Sequence, residues 1–204
     1  MSSGKKITQV LAMDCETSGL NWKSGHSECN QNVAEGYQAI EWGMIAANVS
    51  DYKPTDAMHV LIKWNGESKW DPGAEKVHGK SKEFLEKHGV DEEEAVIQIV
   101  EFIIKNFDIN KPIFVLGHNV GTFDLPFLKD LLYRYGIEKI KFGHRCFDTF
   151  SASMATLKEH DSDALFKTLG FPDRGNHSAL EDANNALSSF RMINKAWTQM
   201  LKNA

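Results

Sequence analysis

Two carboxylates stand one residue apart near the start of the chain, in the segment "LAMDCETSGL". Because side chains two residues apart on a strand point to the same face, Asp14 and Glu16 would lie side by side. Two negative charges at that distance repel, so either one carboxyl is protonated or a hard divalent cation lies between them. The alternative is an ordinary surface strand end, since a D-x-E triplet arises by chance about once in a chain of this size.

Two further segments place an acidic residue at the start of a helix. In "LGHNVGTFDLPFL", Asp124 lies between a buried strand and a helix, where it would serve equally well as a helix N-cap. In "NHSALEDANNAL", Ser178 and Glu181 match the S-x-x-E capping box, which puts Ser178 at the cap and Asp182 in the first turn. His177 precedes the cap, so its imidazole lies outside the regular helix and can reach either solvent or a site.

The apolar pattern predicts the elements that must position these residues. "ITQVLAMD", "AIEWGMIAANV" and "AMHVLIKW" predict three opening strands, with turn residues that include Pro54 before the third. "DEEEAVIQIVEFIIKNF" predicts an amphipathic helix, "KPIFVLGHN" a buried strand, "DLPFLKDLLYRYG" a helix ended by Gly136, and "HSALEDANNALSSFRMINKAWTQML" a long C-terminal helix. This order indicates a single α/β domain over residues 1–204, with a mixed sheet and helices packed on it.

Composition narrows the class of protein. The 204 residues are 42% hydrophobic and 25% charged, which is typical of a soluble globular chain, and no stretch has the apolar length of a membrane span or a signal peptide. A net charge of −5 argues against a broad binder of duplex DNA, but it does not exclude a nuclease, because carboxylates that hold cations make the working charge less negative. Three cysteines, an odd number, favour free thiols and a cytoplasmic location.

The polar loop 21–36 has no assigned role. His26 and Cys29 within it have zinc-like spacing but no second ligand pair.

Taken together, "DCETSGL", "HNVGTFDLPFL" and "HSALEDA" resemble, in this order, the three motifs of the DnaQ-like family, the DEDDh 3′→5′ exonucleases. "DPGAEKVHGKS" and "CFDT" also resemble family segments, so the likeness extends over roughly residues 7–190. It implies an RNase H-like fold, a mixed five-stranded sheet flanked by helices. Three residues separate "HN" from "FD", as in the animal three-prime repair exonucleases, where bacterial proofreading subunits commonly have two.

The resemblance also implies a role for each motif residue. Four carboxylates would hold two Mg²⁺ ions, which Mn²⁺ could replace, for two-metal hydrolysis of a phosphodiester. These ligands are Asp14, Glu16, Asp124 and Asp182. Asp14 would bridge both ions, and His177 would accept the proton of the attacking water.

The same resemblance predicts the contacts to substrate. Thr17 and Leu20 would hold the terminal nucleotide, with Leu20 against its base, and Asn119 would position the strand. Cys15 lies between the two carboxylates of the first motif, and strand alternation predicts that its side chain packs in the core.

The predicted function is that of a 3′→5′ exonuclease that releases nucleoside 5′-monophosphates from the 3′ end of single-stranded DNA. Trimming of RNA stays open, because no motif encodes how the pocket meets a 2′-hydroxyl. An inactive module that only binds nucleic acid or a protein is disfavoured, since all four carboxylates and the histidine are present. A proofreading role would need a polymerase or repair partner, and no membrane association is expected.

Overall fold

Five strands form one mixed sheet in the computed structural model, which describes residues 7–20, 36–173 and 175–203. In chain order the strands are β1 (Gln9–Thr17), β2 (Ala39–Asn48), β3 (Pro54–Leu61), β4 (Val115–Gly117) and β5 (Phe147–Asp148). They lie side by side in the order β3-β2-β1-β4-β5. β2 is antiparallel to both β1 and β3, whereas β4 is parallel to both β1 and β5. The predicted α/β fold with a mixed five-stranded sheet is therefore confirmed.

Helices flank the sheet. In chain order they are α1 (Pro72–His78), α2 (Lys82–His88), α3 (Glu92–Asn106), α4 (Asp124–Arg134), α5 (Thr149–Thr156), α6 (Ser162–Thr168) and α7 (Ala179–Asn203). Helices α3, α4 and α7 are those that the apolar pattern predicts, and Gly136 follows α4 with a left-handed φ of 70°. The other four, with seven or eight residues each, were not predicted individually.

Alternation along β1 divides the core between the two faces of the sheet. Leu11, Met13 and Cys15 of β1 belong to the larger apolar cluster, which includes residues of α3 and α4. Val10 and Ala12 belong to the smaller cluster, which includes α7. Asp14 and Glu16 continue this even-numbered row, so they emerge on the α7 side of the sheet.

Helix α7 lies directly on β2 at Gly43. A Cβ atom at this position would lie 2.2 Å from the backbone nitrogen of Leu180, so a larger residue could not be accommodated without displacing the helix. Because Leu180 and Asp182 share the first turn of α7, this close approach brings the Asp182 carboxylate down to the sheet.

A residue predicted in a turn lies in a strand, and one prediction lies outside the described residues. Pro54 was predicted in the turn before β3, but it is the first residue of that strand. A proline is tolerated there because β3 is an edge strand. His26 and Cys29 lie in the part of the chain that the structure does not describe. Across the described residues, no helix has the length and apolarity needed to cross a membrane.

Candidate active site

A cleft of about 650 Å³ opens at the carboxyl ends of β1 and β4. It is lined by residues of all three sequence motifs, namely Asp14, Glu16, Thr17, Leu20, Asn119, Asp124, His177 and Asp182. The fold thus gathers in one place every residue that the sequence singled out for catalysis, metal binding or substrate binding.

Glu16, His177 and Asp182 form a close group in this cleft. One ligand atom from each residue lies within 4.8 Å of the other two. His177 Nδ1 is 3.4 Å from Asp182 Oδ2, and both carboxylates are buried. A spacing of this kind lets two carboxylate oxygens and an imidazole nitrogen face a single small volume.

Asp124 reaches the cleft from the first residue of α4. Phe123 occupies the cap position, so the reading of Asp124 as an N-cap was wrong. The Asp124 carboxylate instead accepts a 2.8 Å hydrogen bond from the backbone N–H of Cys15. This bond places it beside Asp14 and Glu16, the two neighbours of Cys15. The Cys15 side chain is buried in the main core cluster, as predicted.

Burial dominates the electrostatics of these acids. It raises the pKa of Glu16 to about 7, although the positive charges of Lys80 and His177 oppose the rise. Burial also raises the pKa of Asp124 to about 7, against the hydrogen bonds from Cys15. Near neutral pH and without a cation, both carboxyls therefore retain part of their protons, and a bound cation would favour their ionised forms.

The segment before α7 is fixed at several backbone atoms. Helix α7 begins at Ala179, so Ser178 holds the cap position that the capping box predicts. The Ser178 hydroxyl and the Ala179 N–H both donate to Glu41 Oε1, each at 3.3 Å. The N–H of His177 donates to the carbonyl oxygen of Val77 at 3.3 Å. The backbone on either side of the His177 side chain is thereby tied to β2 and α1.

Glu41 was missed at the sequence level. It lies on β2 with only 1% of its surface exposed, and its carboxylate contacts Lys80 Nζ at 2.7 Å and His59 Nε2 at 2.6 Å. Burial alone would raise the pKa of Glu41, but the hydrogen bonds from His59 and Lys80 outweigh it and lower the pKa. The available signal was a lone charge inside the apolar strand "AIEWGMIAANV", since a buried acid is retained only where it is paired.

The predicted substrate-contacting residues line the cleft, where Thr17 is buried and Leu20 and Asn119 are exposed. The Thr17 hydroxyl donates to the carbonyl oxygen of Gly19 at 2.7 Å, which shapes the turn after β1. Leu20 beyond this turn is 78% exposed. Asn119 adopts a left-handed φ of 57°, and its N–H donates to Asp148 Oδ1 at 3.0 Å. This exposed asparagine follows β4 by two residues and begins the turn toward Asp124.

Other residues of the cleft wall were given no role from the sequence. From α1, from the turn after β4 and from α6 these are Ala74, Val77, His78, His118, Thr122, Phe123, Ser162 and Phe166. Val77 is 50% exposed, so the rim offers a second apolar side chain in addition to Leu20. Apolar and aromatic groups suit the faces of unpaired bases, which stack on such surfaces.

A sequence model described as exonuclease, of the RNase T type, matches residues 11–190. The chain belongs to the exonuclease family. The resemblance to DnaQ-like exonucleases is thereby confirmed. The three motifs of this chain lie within the matched residues. A search of curated protein sequences finds no significant match to it.

Solved structures of similar fold come from E. coli exonuclease I. The zinc-bound form of its complex with single-stranded DNA gives a TM-score of 0.73 at 15% identity, covering 97% of this chain and 43% of that protein. A complex with a dT13 oligonucleotide gives 0.71 at 15% identity with the same coverage. The apo form gives 0.67 at 15% identity, covering 93% and 42%. The chain spans about two fifths of the length of these proteins and shares their RNase H-like fold.

Proposed function

We propose that this exonuclease degrades single-stranded DNA from the 3′ end and releases nucleoside 5′-monophosphates, with two Mg²⁺ ions that Mn²⁺ could replace. The observation that most supports the proposal is the convergence of Glu16, His177 and Asp182 within 4.8 Å in a cleft that Asp14 and Asp124 also line. A proton acceptor and a cation site are thus combined where a strand end can enter.

The donor set of the cleft fits the proposed ions. The four carboxylates would hold them, and the raised pKa values of Glu16 and Asp124 mark a pocket in which added positive charge would be stabilising. Oxygen ligands favour Mg²⁺ and Mn²⁺ over softer metals. When bound, such ions supply positive charge to the phosphoryl oxygens and make a water molecule more acidic.

His177 is the proposed general base. Its side chain is 25% exposed, so solvent can reach it, and Asp182 lies 3.4 Å from Nδ1. A carboxylate in that position orients the imidazole ring and stabilises the positive charge that the ring acquires with the proton. The other ring nitrogen, Nε2, is then the atom that accepts the proton from the attacking water.

The rim of the cleft supports attack at a strand end. Thr17 and the exposed Leu20 would hold the terminal nucleotide, with Val77 as a second apolar contact and Asn119 against the following backbone. The solved neighbours include E. coli exonuclease I with dA16 and dT13 oligonucleotides, which favours single-stranded DNA over RNA as the substrate of this chain as well.

Labelled strands test polarity and sugar preference together. Single-stranded DNA and RNA of the same sequence, labelled at either end, are incubated with the protein in Mg²⁺. We expect 3′-labelled DNA to release a labelled mononucleotide at once, and 5′-labelled DNA to give a ladder that shortens with time. An Asp14→Asn protein purified in parallel controls for contaminating nucleases. Release of mononucleotides from the 5′ end, or faster cleavage of RNA, would refute the proposal.

A further inference from the structure

Lys80 joins three parts of the chain through its single ammonium group. Its Nζ atom lies 2.7 Å from Glu41 Oε2 on β2. It also donates to the carbonyl oxygen of His78 at 3.1 Å and to the carbonyl oxygen of His177 at 2.7 Å. The ammonium thus makes one close ion pair and two hydrogen bonds to main-chain carbonyls. The side chain is 13% exposed, so Lys80 differs from a loosely held surface lysine.

The backbone at the end of α1 directs Lys80 to these partners. Gly79 follows α1 in a left-handed conformation with a φ of 69°, and the N–H of Lys80 then donates to His78 Nδ1 at 3.1 Å. A Cβ atom on Gly79 would lie 2.3 Å from the side-chain amide of Asn176. The turn that carries Lys80 is therefore packed directly against the segment that carries His177.

Glu41 anchors this arrangement on the sheet. One of its carboxylate oxygens contacts the Lys80 ammonium, and the other accepts from the Ser178 hydroxyl and the Ala179 N–H. The carbonyl of His177 is thus held by Lys80, and the two residues that follow it are held by Glu41. A buried charge pair with this many hydrogen bonds has a defined geometry.

We propose that Lys80 is a positioning residue for the nuclease reaction. Anchored on Glu41, it holds the backbone of His177 so that the imidazole stays beside Asp182. The inference rests on the proposed function in one respect, that His177 is the general base. A displacement of about 1 Å in a reacting group can cost about 100-fold in rate, so loss of this tie has a measurable effect.

A double-mutant cycle tests whether Lys80 acts through His177. Lys80→Met removes the ammonium and keeps the length of the side chain. We expect kcat on single-stranded DNA to fall about 10- to 100-fold with little change in KM. In a His177→Ala background, where no imidazole remains to be positioned, the same substitution should change kcat by less than about twofold. Equal losses in the two backgrounds would overturn the proposal.

Arg134 provides a matched control. Its side chain is 16% exposed, and its guanidinium pairs with the carboxylates of Glu92 and Asp130. It lies at the opposite end of the 11-residue helix α4 from Asp124, about 15 Å away along the axis. Arg134→Met should change kcat by the same factor in the parent and in the His177→Ala protein. If Arg134→Met lowered kcat in the parent but not in the His177→Ala protein, coupling to His177 would reflect general destabilisation. The role assigned to Lys80 would then be withdrawn.

A measurement without metal or substrate separates this inference from the proposed function. The His177 N–H donates to the Val77 carbonyl, and NMR-detected hydrogen exchange reports how firmly that segment is held. Lys80→Met should speed exchange at His177 and leave the Cys15 amide unchanged. Unaltered exchange at His177 would overturn the proposal even in an active enzyme. A parent protein inactive on nucleic acid would instead refute the proposed function alone.

Lys80→Met alone leaves the buried Glu41 carboxylate without its ammonium partner, and a buried charge that has lost its partner can unfold the protein. Lys80→Met combined with Glu41→Gln removes both charges and avoids this problem. If Lys80→Met does not fold, the double variant takes its place in both experiments, with the same expected and contrary results.

Discussion

The backbone N–H of Cys15 donates a 2.8 Å hydrogen bond to Asp124 Oδ1, joining residues 109 positions apart in the chain. Because Cys15 lies between Asp14 and Glu16, the bond sets the α4 carboxylate beside the two carboxylates of β1. The main chain of one strand therefore carries two acidic side chains and holds a third. The acids are close together before any cation binds, and their mutual repulsion is a property of the folded protein alone.

Replacing Asp14 with Asn should separate catalysis from stability. We expect cleavage to be nearly abolished because a proposed bridging ligand is lost, while the metal-free protein unfolds at the same or a higher temperature because one charge of the cluster is gone. Rate assays in Mg²⁺ and thermal melts in EDTA measure the two effects. A melting temperature well below the parent's in EDTA would identify Asp14 as a structural residue.

The stability of the metal-free protein should fall as the pH rises toward neutrality. The pKa values of Glu16 and Asp124 are raised by burial to about 7 in the folded protein, from ordinary values of 4.5 and 3.8. A raised pKa means that the folded state binds the proton more tightly than the unfolded chain, so folding is favoured at low pH. That advantage is lost between about pH 4 and pH 7, by roughly 1 kcal/mol or more per group.

Urea unfolding in EDTA at pH 5.5 and pH 8 measures this loss. The variants Glu16→Gln and Asp124→Asn keep the size of each side chain and remove its titration, so each should show a smaller difference between the two pH values than the parent. A difference that is the same in parent and variants would assign the pH dependence to other groups.

Nuclease activity should require Mg²⁺ or Mn²⁺. The proposed ligands are all carboxylates, and the described residues that line the cleft include no lysine or arginine to offset both the acids and a phosphodiester. Excess EDTA should abolish cleavage, and added Mg²⁺ should restore it. Undiminished cleavage by the pure protein in EDTA would rule out the metal-dependent mechanism.

Replacing His177 with Ala should impair chemistry more than binding. Loss of a general base typically costs about 10² to 10⁴ in rate, so kcat should fall in this range while affinity for a single strand changes little. The parent's rate should rise with pH as an imidazole loses its proton, and the variant should lack this step. A small loss with an unchanged acidic limb would show that the proton leaves by another route.

Circular single strands should resist cleavage. Leu20, at the rim of the cleft and 78% exposed, is expected to contact the terminal base, which a circle does not offer. A linear strand of the same sequence is the matched substrate. Nicking of the circle at a comparable rate would identify an endonuclease and would remove the assigned role of Leu20.

Strand alternation and helix-capping patterns in the sequence predicted those features of the fold and site that depend on residues a few positions apart. Alternation on β1 put Asp14 and Glu16 on one face, and the capping box placed Ser178 just before α7. The same patterns could not decide between two roles for Asp124, because a cap and a site residue occupy the same position after a buried strand. Only the fold shows that Phe123 takes the cap and that Asp124 turns to β1.

Contacts to the main chain were beyond prediction. Two of the three partners of the Lys80 ammonium are carbonyl oxygens, which every residue has and which therefore leave no trace in the sequence. The short helices were missed for a related reason. Seven or eight residues are too few to show an apolar period. The start of α6, for example, is fixed by contacts to the main chain, because the Asp161 side chain accepts hydrogen bonds from two backbone N–H groups.

The position of β1 within the sheet fixes the register of the strand that carries Asp14 and Glu16. β1 is paired along both edges, antiparallel to β2 and parallel to β4. Because side chains alternate, a slip of one residue would turn Met13 and Cys15 toward the cleft and bury the two carboxylates against the larger core. Such a slip would have to break two ladders at once. The strand is therefore locked in the one register that presents its acids to the cleft, whether or not an ion or a nucleotide is there.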